Sequence, residues 1–322
     1  MISRRQVSFG LLVAAVPARA LAQAYPTRPV RLIVPYAAGG GTDAIARALA
    51  DSLSTRLGQS VVVENNGADG GNAATAQAAA AAPDGYTVLM ANQGPMVVNP
   101  HIFRNLKVDP LTAFEPVTLI ADAPLVIVVP PNSRFATLKE LVSFAAANPD
   151  KVTFGSAGNG SASHMATVQL AQLANLHLVH TPYNGAGPAL DDLLAGHTDF
   201  MATTLPSVMD QLHNSQLRAL AVTSAARSKA LPDVPTVAES GWPGYRAGAW
   251  YGLVAPRGTP AKVVMALRDA TLATINRPSV RARLEGEGAQ PIGSTPREFA
   301  EMMREESARW KDVVKAAGVT VD

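Results

Sequence analysis

The 322-residue chain contains no cysteine, which excludes disulfides and thiolate metal sites and leaves packing to supply its stability. Charged residues make up only 16% and aromatics 5%, and no basic stripe carries interleaved aromatics, so nucleic-acid binding has no support. Beyond residue 24 no 18 apolar residues run uninterrupted, which leaves no candidate membrane-spanning helix there. No HExxH pattern occurs. His177 and His180 lie three apart on a predicted strand, hence on opposite faces, and make a poor metal pair. The glycine-rich turns lack the Lys-Ser/Thr ending that a nucleotide-binding phosphate loop needs. We therefore expect no metal and no cofactor.

What is present begins with an export signal. Arg4 and Arg5 precede a short apolar run from Phe9 to Val16, and Ala22-Gln23-Ala24 offers small residues for cleavage. The paired arginines leave the Sec and twin-arginine routes both open. Cleavage near Ala24 removes three arginines and no acid, which changes the formal charge from +2 to −1. A bacterial periplasm is the expected destination. The remaining chain, in a sequence that is 48% hydrophobic, is long enough for about two domains.

Residues 30–58 read as a buried strand, a glycine turn and an amphipathic helix. Val30, Leu32, Ile33 and Val34 suit a strand, while Gly39, Gly40 and Gly41 let backbone N–H groups approach a ligand. Thr42 is the expected cap of a helix whose Ile45, Leu49, Leu53 and Leu57 recur at i, i+4, with Gly58 as its stop. Free N–H groups and the positive dipole end at such a start favour phosphate or carboxylate. A tight connection that binds nothing has the same local pattern. Strands at 60–64 and 86–91 follow, the second leading into Asn92-Gln93-Gly94-Pro95, a loop whose amides could line a site.

A second α/β series starts at Pro124–Pro130. Thr137 and Glu140 form a capping box, and a strand at 152–155 runs into SAGNGSASH, with small residues and hydroxyls before a new helix. A strand at 178–183 enters NGAGPAL, where Asn184 joins the candidate loop and Pro188 suits a helix start. Strands at 199–203 and 217–223 complete the series, and the chain ends in a strand at 250–254 and three helices. Alternating strands and helices predict parallel sheets, with ligands beyond the carboxyl ends of the strands. We expect residues 25–123 and 226–322 to form one lobe and residues 124–225 the other, with crossings near 121–125 and 224–228.

VPYAAGGGTD, VVVENNGADGGN, GSAGNGSASH, VHTPYNGAGPALDDLLAG and YGLVAPRGTP, in this order, resemble the Bug family. These are the extracytoplasmic solute-binding proteins of tripartite tricarboxylate transporters. The resemblance runs from Arg28 almost to Asp322 and implies a two-lobed, Venus-flytrap α/β fold of the periplasmic-binding-protein type II kind. It implies a small carboxylate between the lobes, integral membrane transporter subunits as partners, and a monomer. On the same ground the first-lobe loop holds a carboxylate through the N–H groups of Gly40 and Gly41 and through Thr42, with Tyr36 as a wall. Ser156, Asn159 and Ser161 match the family's second-lobe loop. Where the family often reads Phe-Asp-Asn before Leu-Pro-Ser, this chain has Ala202-Thr203-Thr204 before Leu205-Pro206-Ser207. The missing aspartate implies a ligand without an α-amino group, a dicarboxylate or an aromatic acid.

Asp43 has two readings, a partner for a ligand amine or proton, or a first-turn acid that suits the helix dipole. His164 either donates to a carboxylate or finishes a polar helix start. Trp250 and Tyr251 are core anchors or a lid. Against the solute-binding reading stand an exported serine hydrolase, using Ser161 or Ser163 with His164, and a sensor subunit that presents ligand to a membrane partner.

Overall fold

The computed structural model describes residues 25–321; the export signal and its cleavage point lie outside the described residues. In chain order the strands are β1 (Val30–Val34), β2 (Val61–Asn65), β3 (Thr87–Asn92), β4 (Phe114–Val129), β5 (Thr153–Ser156), β6 (Val179–Pro182), β7 (Phe200–Thr204), β8 (Arg218–Val222), β9 (Gly248–Pro256) and β10 (Gln290–Pro291). The helices are α1 (Gly41–Leu57), α2 (Asn72–Ala79), α3 (Asn99–Ile102), α4 (Leu138–Ala147), α5 (Ala162–Ala174), α6 (Ala186–Leu194), α7 (Met209–His213), α8 (Ala261–Ile275), α9 (Pro278–Gly286) and α10 (Pro296–Ala317).

One long strand joins the two lobes. β4 pairs with β9 from Phe114 to Pro124, then with β7 and β8 from Leu125 to Val129. The first lobe holds β2, β1, β3, β9 and the first part of β4, and the second holds the rest of β4, β7, β5 and β6, with β8 also on β4. Parallel pairing is as expected between β1 and its neighbours β2 and β3, and between β5 and its neighbours β6 and β7. The sheets are nevertheless mixed, because the connecting strands β4 and β9 run antiparallel to their partners. Sequence alternation detects only the second half of β4; Pro116 and Pro124 break its apolar run without breaking its pairing.

The second crossing comes later than expected. Residues 226–247, expected in the first lobe, stay with the second. Val222 pairs with Thr236, Tyr245 Oη donates to Ala166 O at 2.8 Å, and Ala247 N–H donates to Thr223 O at 3.0 Å. Thr223, fully buried, ties the two crossings together. Its Oγ1 accepts from Leu125 N–H at 2.8 Å and donates to Ala247 O at 2.9 Å.

Helix α1 packs its apolar stripe, Ile45, Leu49 and Leu53, into the main core, which places its first turn at the carboxyl end of β1 and facing the second lobe. That is the anchoring the site depends on. About 25 cal/mol per Å² of buried apolar surface holds such a helix in place.

Candidate functional site

The cap of α1 is Gly40, not Thr42. Gly40 takes the extended conformation of a cap, Gly39 is left-handed at φ 83°, and no side chain caps the helix. Asp43 substitutes for the missing cap from inside the first turn: its Oδ2 accepts Gly39 N–H at 3.1 Å. Its carboxylate also binds Arg47 Nε at 3.0 Å and Asn65 Nδ2 at 3.0 Å. Burial pushes the Asp43 carboxyl up, but the bonds from Arg47, Gly39 and Asn65 outweigh it and hold the group below its ordinary value. Asp43 is thus spent on fixing the strand-to-helix turn, and its side chain does not line the cleft. Thr42 instead uses its hydroxyl to accept Asn92 Nδ2 at 3.1 Å.

Between the lobes lies a cavity of about 40 Å³. From the first lobe it is lined by Tyr36, Gly40, Gly41, Thr42, Asn92 and Gln93, all candidates from the sequence. Ala249 and Tyr251 complete that wall. From the second lobe come Ser161, Thr203 and Thr204, again candidates, together with Ala157, Ala162, Ser163, Ala186 and Ser207. Three helix starts therefore converge on one space: Gly41 of α1, Ala162 of α5 and Ala186 of α6. No Asp, Glu, Lys, Arg or His lines it. Each helix start turns the positive end of a dipole towards the cavity, which makes it electropositive without a cation.

Five expected residues do not line the cavity. Ser156 is fully buried and its hydroxyl meets His180 Nε2 at 2.6 Å. His164 turns inward too: its ring stacks on His180 at 4.0 Å, and Nδ1 accepts Gly160 N–H at 3.2 Å. Burial and the neighbouring His180 push the His164 imidazole down to about 3, and burial pushes His180 down to about 4, so both rings are neutral. Asn159 presents its backbone carbonyl to Gly70 of the first lobe, with no room for a side chain there. Asn184 is exposed and uses its carbonyl to accept Ala37 N–H at 2.8 Å, a backbone bond between the lobes. Asp43, as described, is the fifth.

Closure is intimate at Gly41. Its N–H donates to Ser207 Oγ across the cleft at 2.7 Å. A Cβ at this position would collide with Thr204 Oγ1 and lie 2.9 Å from Tyr251 Oη and 3.0 Å from Ser207 Oγ. Tyr251 therefore serves both readings given to it, buried like a core residue yet forming a cavity wall, while Trp250 packs edge-on against Phe299 at 5.6 Å. Ser207, Ala186 and Ala249 were not among the expected site residues; Ser207 and Ala186 arrive when the second lobe folds over α1, and Ala249 comes with β9.

Among the described residues no cluster of metal-ligating side chains occurs, and no helix is long and apolar enough to cross a membrane.

The family described as "Tripartite tricarboxylate transporter family receptor" matches residues 45–319. Protein BugT of Bordetella pertussis (strain Tohama I) is 35% identical over 311 residues, covering 96% of this chain and 95% of that protein. A Rhodopseudomonas palustris protein solved with adipate superposes with a TM-score of 0.89 at 35% identity, covering 92% of this chain and 99% of that one. MatC from the same organism, solved with malate bound, gives a TM-score of 0.86 at 33% identity, with 90% and 100% covered. With two lobes closing on an electropositive, cation-free cavity, and with this breadth of similarity, the chain belongs to the tripartite tricarboxylate transporter receptor family, the Bug solute-binding proteins.

Proposed function

We propose that this protein captures a small organic carboxylate between its lobes in the periplasm and delivers it to the integral membrane subunits of a tripartite tricarboxylate transporter. The observation that carries the reading is the meeting of three helix starts on a cavity without an ionisable cation or acid. Hydrogen bonds to a charged group contribute roughly 1.5–3 kcal/mol each, and three of them support about micromolar binding once closure is offset. The adipate and malate held by two relatives are ligands of this class.

The mature protein begins after the signal, near Tyr25, and works as a monomer without cofactor or catalysis. The hydrolase alternative needs a hydroxyl activated by an imidazole next to the ligand. Here the His164 ring is engaged with Gly160 and His180, and Ser156, which does meet an imidazole, is sealed from the cleft. The cavity lies between the lobes, and Gly41 N–H bonds Ser207 across it, so the lobes part for a carboxylate to enter and then close over it.

A thermal-shift screen of the mature protein against di- and tricarboxylates, hydroxy acids, aromatic acids, amino acids and sugars tests the reading. At a hundredfold excess over Kd, a ligand adds about 2.7 kcal/mol, a shift of a few degrees. A response to sugars or cations with silence across all carboxylates refutes it.

A further inference from the structure

Two buried side chains of the cavity wall have polar atoms with no partner: Asn92 Oδ1 and Tyr251 Oη. Asn92 is 6% exposed and Tyr251 1%. Buried polar atoms are satisfied in the great majority of cases, so a pair left open in one cavity wall points to what fills it. We propose that the preferred ligand carries a hydroxyl on the carbon next to its carboxylate, and that Tyr251 and Asn92 read these two groups as donor and acceptor. This narrows the carboxylate reading above and rests on it.

The chemistry of each atom is set by its surroundings. Asn92 spends its Nδ2 on Thr42 Oγ1 at 3.1 Å, so the end that remains is the acceptor Oδ1. Burial pushes the Tyr251 phenol up to about 12, against an opposing contribution from Thr204, so it stays protonated and donates. The Thr204 hydroxyl itself is occupied by Ser207 Oγ at 2.8 Å. Asn92 and Tyr251 are register partners on the paired strands β3 and β9, so their side chains reach the cavity side by side. The ligand's acceptor and donor are then close together.

A carboxylate at the start of α1 supplies the acceptor for Tyr251. It supplies nothing for Asn92 Oδ1, and neither does an unsubstituted carbon beside it. A hydroxyl donates to Oδ1 without adding charge. An ammonium donates as well, but it enters a space ringed by the positive ends of three helices, with no acid in its lining and with Asp43 engaged by Arg47, Gly39 and Asn65. The expected order is hydroxy acid, then unsubstituted acid, then amino acid.

Calorimetry on the mature protein with two matched triplets tests this: malate, succinate and aspartate, and 2-hydroxyglutarate, glutarate and glutamate. In the triplet of better-fitting length, the hydroxy acid should bind at least about tenfold tighter than the unsubstituted acid, with the amino acid weakest. Asn92→Leu should remove the difference between hydroxy and unsubstituted acids. Asn92→Asp, which puts a carboxylate at the same place, should raise amino-acid affinity above that of the hydroxy acid. Tyr251→Phe should weaken all the acids by a common factor. Equal wild-type affinities for hydroxy and unsubstituted acids, or a preference that survives Asn92→Leu, overturn the inference and leave the carboxylate reading standing. Binding of no carboxylate in this set or in the wider screen overturns that reading and the inference together.

Discussion

Gly41→Ala separates closure from folding. The new methyl group would sit among Thr204 and Ser207 of the second lobe and Tyr251 of the first, at 3.0 Å from Ser207 Oγ and 2.9 Å from Tyr251 Oη, and in collision with Thr204. Forcing a methyl group into packed surroundings costs about 1–3 kcal/mol. At about 1.4 kcal/mol per factor of ten, ligand affinity should fall roughly 5- to 150-fold. The fold itself should not suffer, because Gly41 opens a helix in an ordinary helical conformation, where alanine is the better helix former by up to about 1 kcal/mol. Parting the lobes carries Thr204 and Ser207 away and leaves only the tip of Tyr251 to adjust. Calorimetry with the carboxylate that most stabilises the wild type should therefore show weakened binding, while the ligand-free melting temperature stays level or rises. Unchanged affinity would refute the argument that the lobes meet over Gly41. A ligand-free melting temperature lowered by about 5 °C or more with affinity kept would put the strain in the fold instead.

Ser207→Ala leaves Gly41 N–H without its partner across the cleft and should weaken binding by about two- to tenfold, seen by calorimetry, with little change in ligand-free stability. Asp43→Asn should lower stability by about 1–3 kcal/mol at pH 7 in thermal melts, since Arg47, Asn65 and Gly39 N–H lose the carboxylate they share. The folded carboxyl is held below its unfolded value, so its contribution is present above the ordinary carboxylate range and is lost as pH falls through the folded value; the variant should lack that acid-side loss. His164 and His180 act in a different window. Their folded values, about 3 and about 4, lie below the ordinary histidine value, so the unfolded chain binds more protons as pH drops from 6.5 towards 4. Stability should fall there by up to about 1.4 kcal/mol per pH unit for each ring, and His164→Phe should reduce the slope by about half; an unaltered slope would show that the ring is not sealed.

The strand, turn and helix of residues 30–58 could be read from the sequence because apolar periodicity, a glycine cluster and a stop glycine agree there. β1 ends at Val34, α1 ends at Leu57, and Gly58 is left-handed. The cap was not legible. Thr42 is the better capping residue by type, but Asp43 bonding back to Gly39 makes a side-chain cap unnecessary and leaves Thr42 for Asn92. In the loop after β5, the sequence showed which residues were polar but not which way they faced. Ser161 caps α5 at the cleft while Ser156 and His164 turn towards His180, a residue on the next strand. Tyr251 was legible as a core anchor or a lid, but that it and Ser207 both reach Gly41, each from more than 160 residues away, was not.

The absence of lysine and arginine from the cavity bears on delivery as much as on capture. An exposed ion pair is worth about 0–1 kcal/mol, so a cation would weaken on wetting too, but it would hold its anion from one lobe alone. The helix starts are shared between the lobes. Exposed to water each is worth about 0.3–1 kcal/mol to an anion, and up to about 2 kcal/mol in a partly buried setting. One start comes from the first lobe and two from the second, and Gly41 N–H meets Ser207 only across the cleft. Parting the lobes therefore divides the donors and wets those that remain, which weakens each of them at once. Affinity is then a property of the closed form, and whatever draws the lobes apart frees the ligand without having to supply a competing charge.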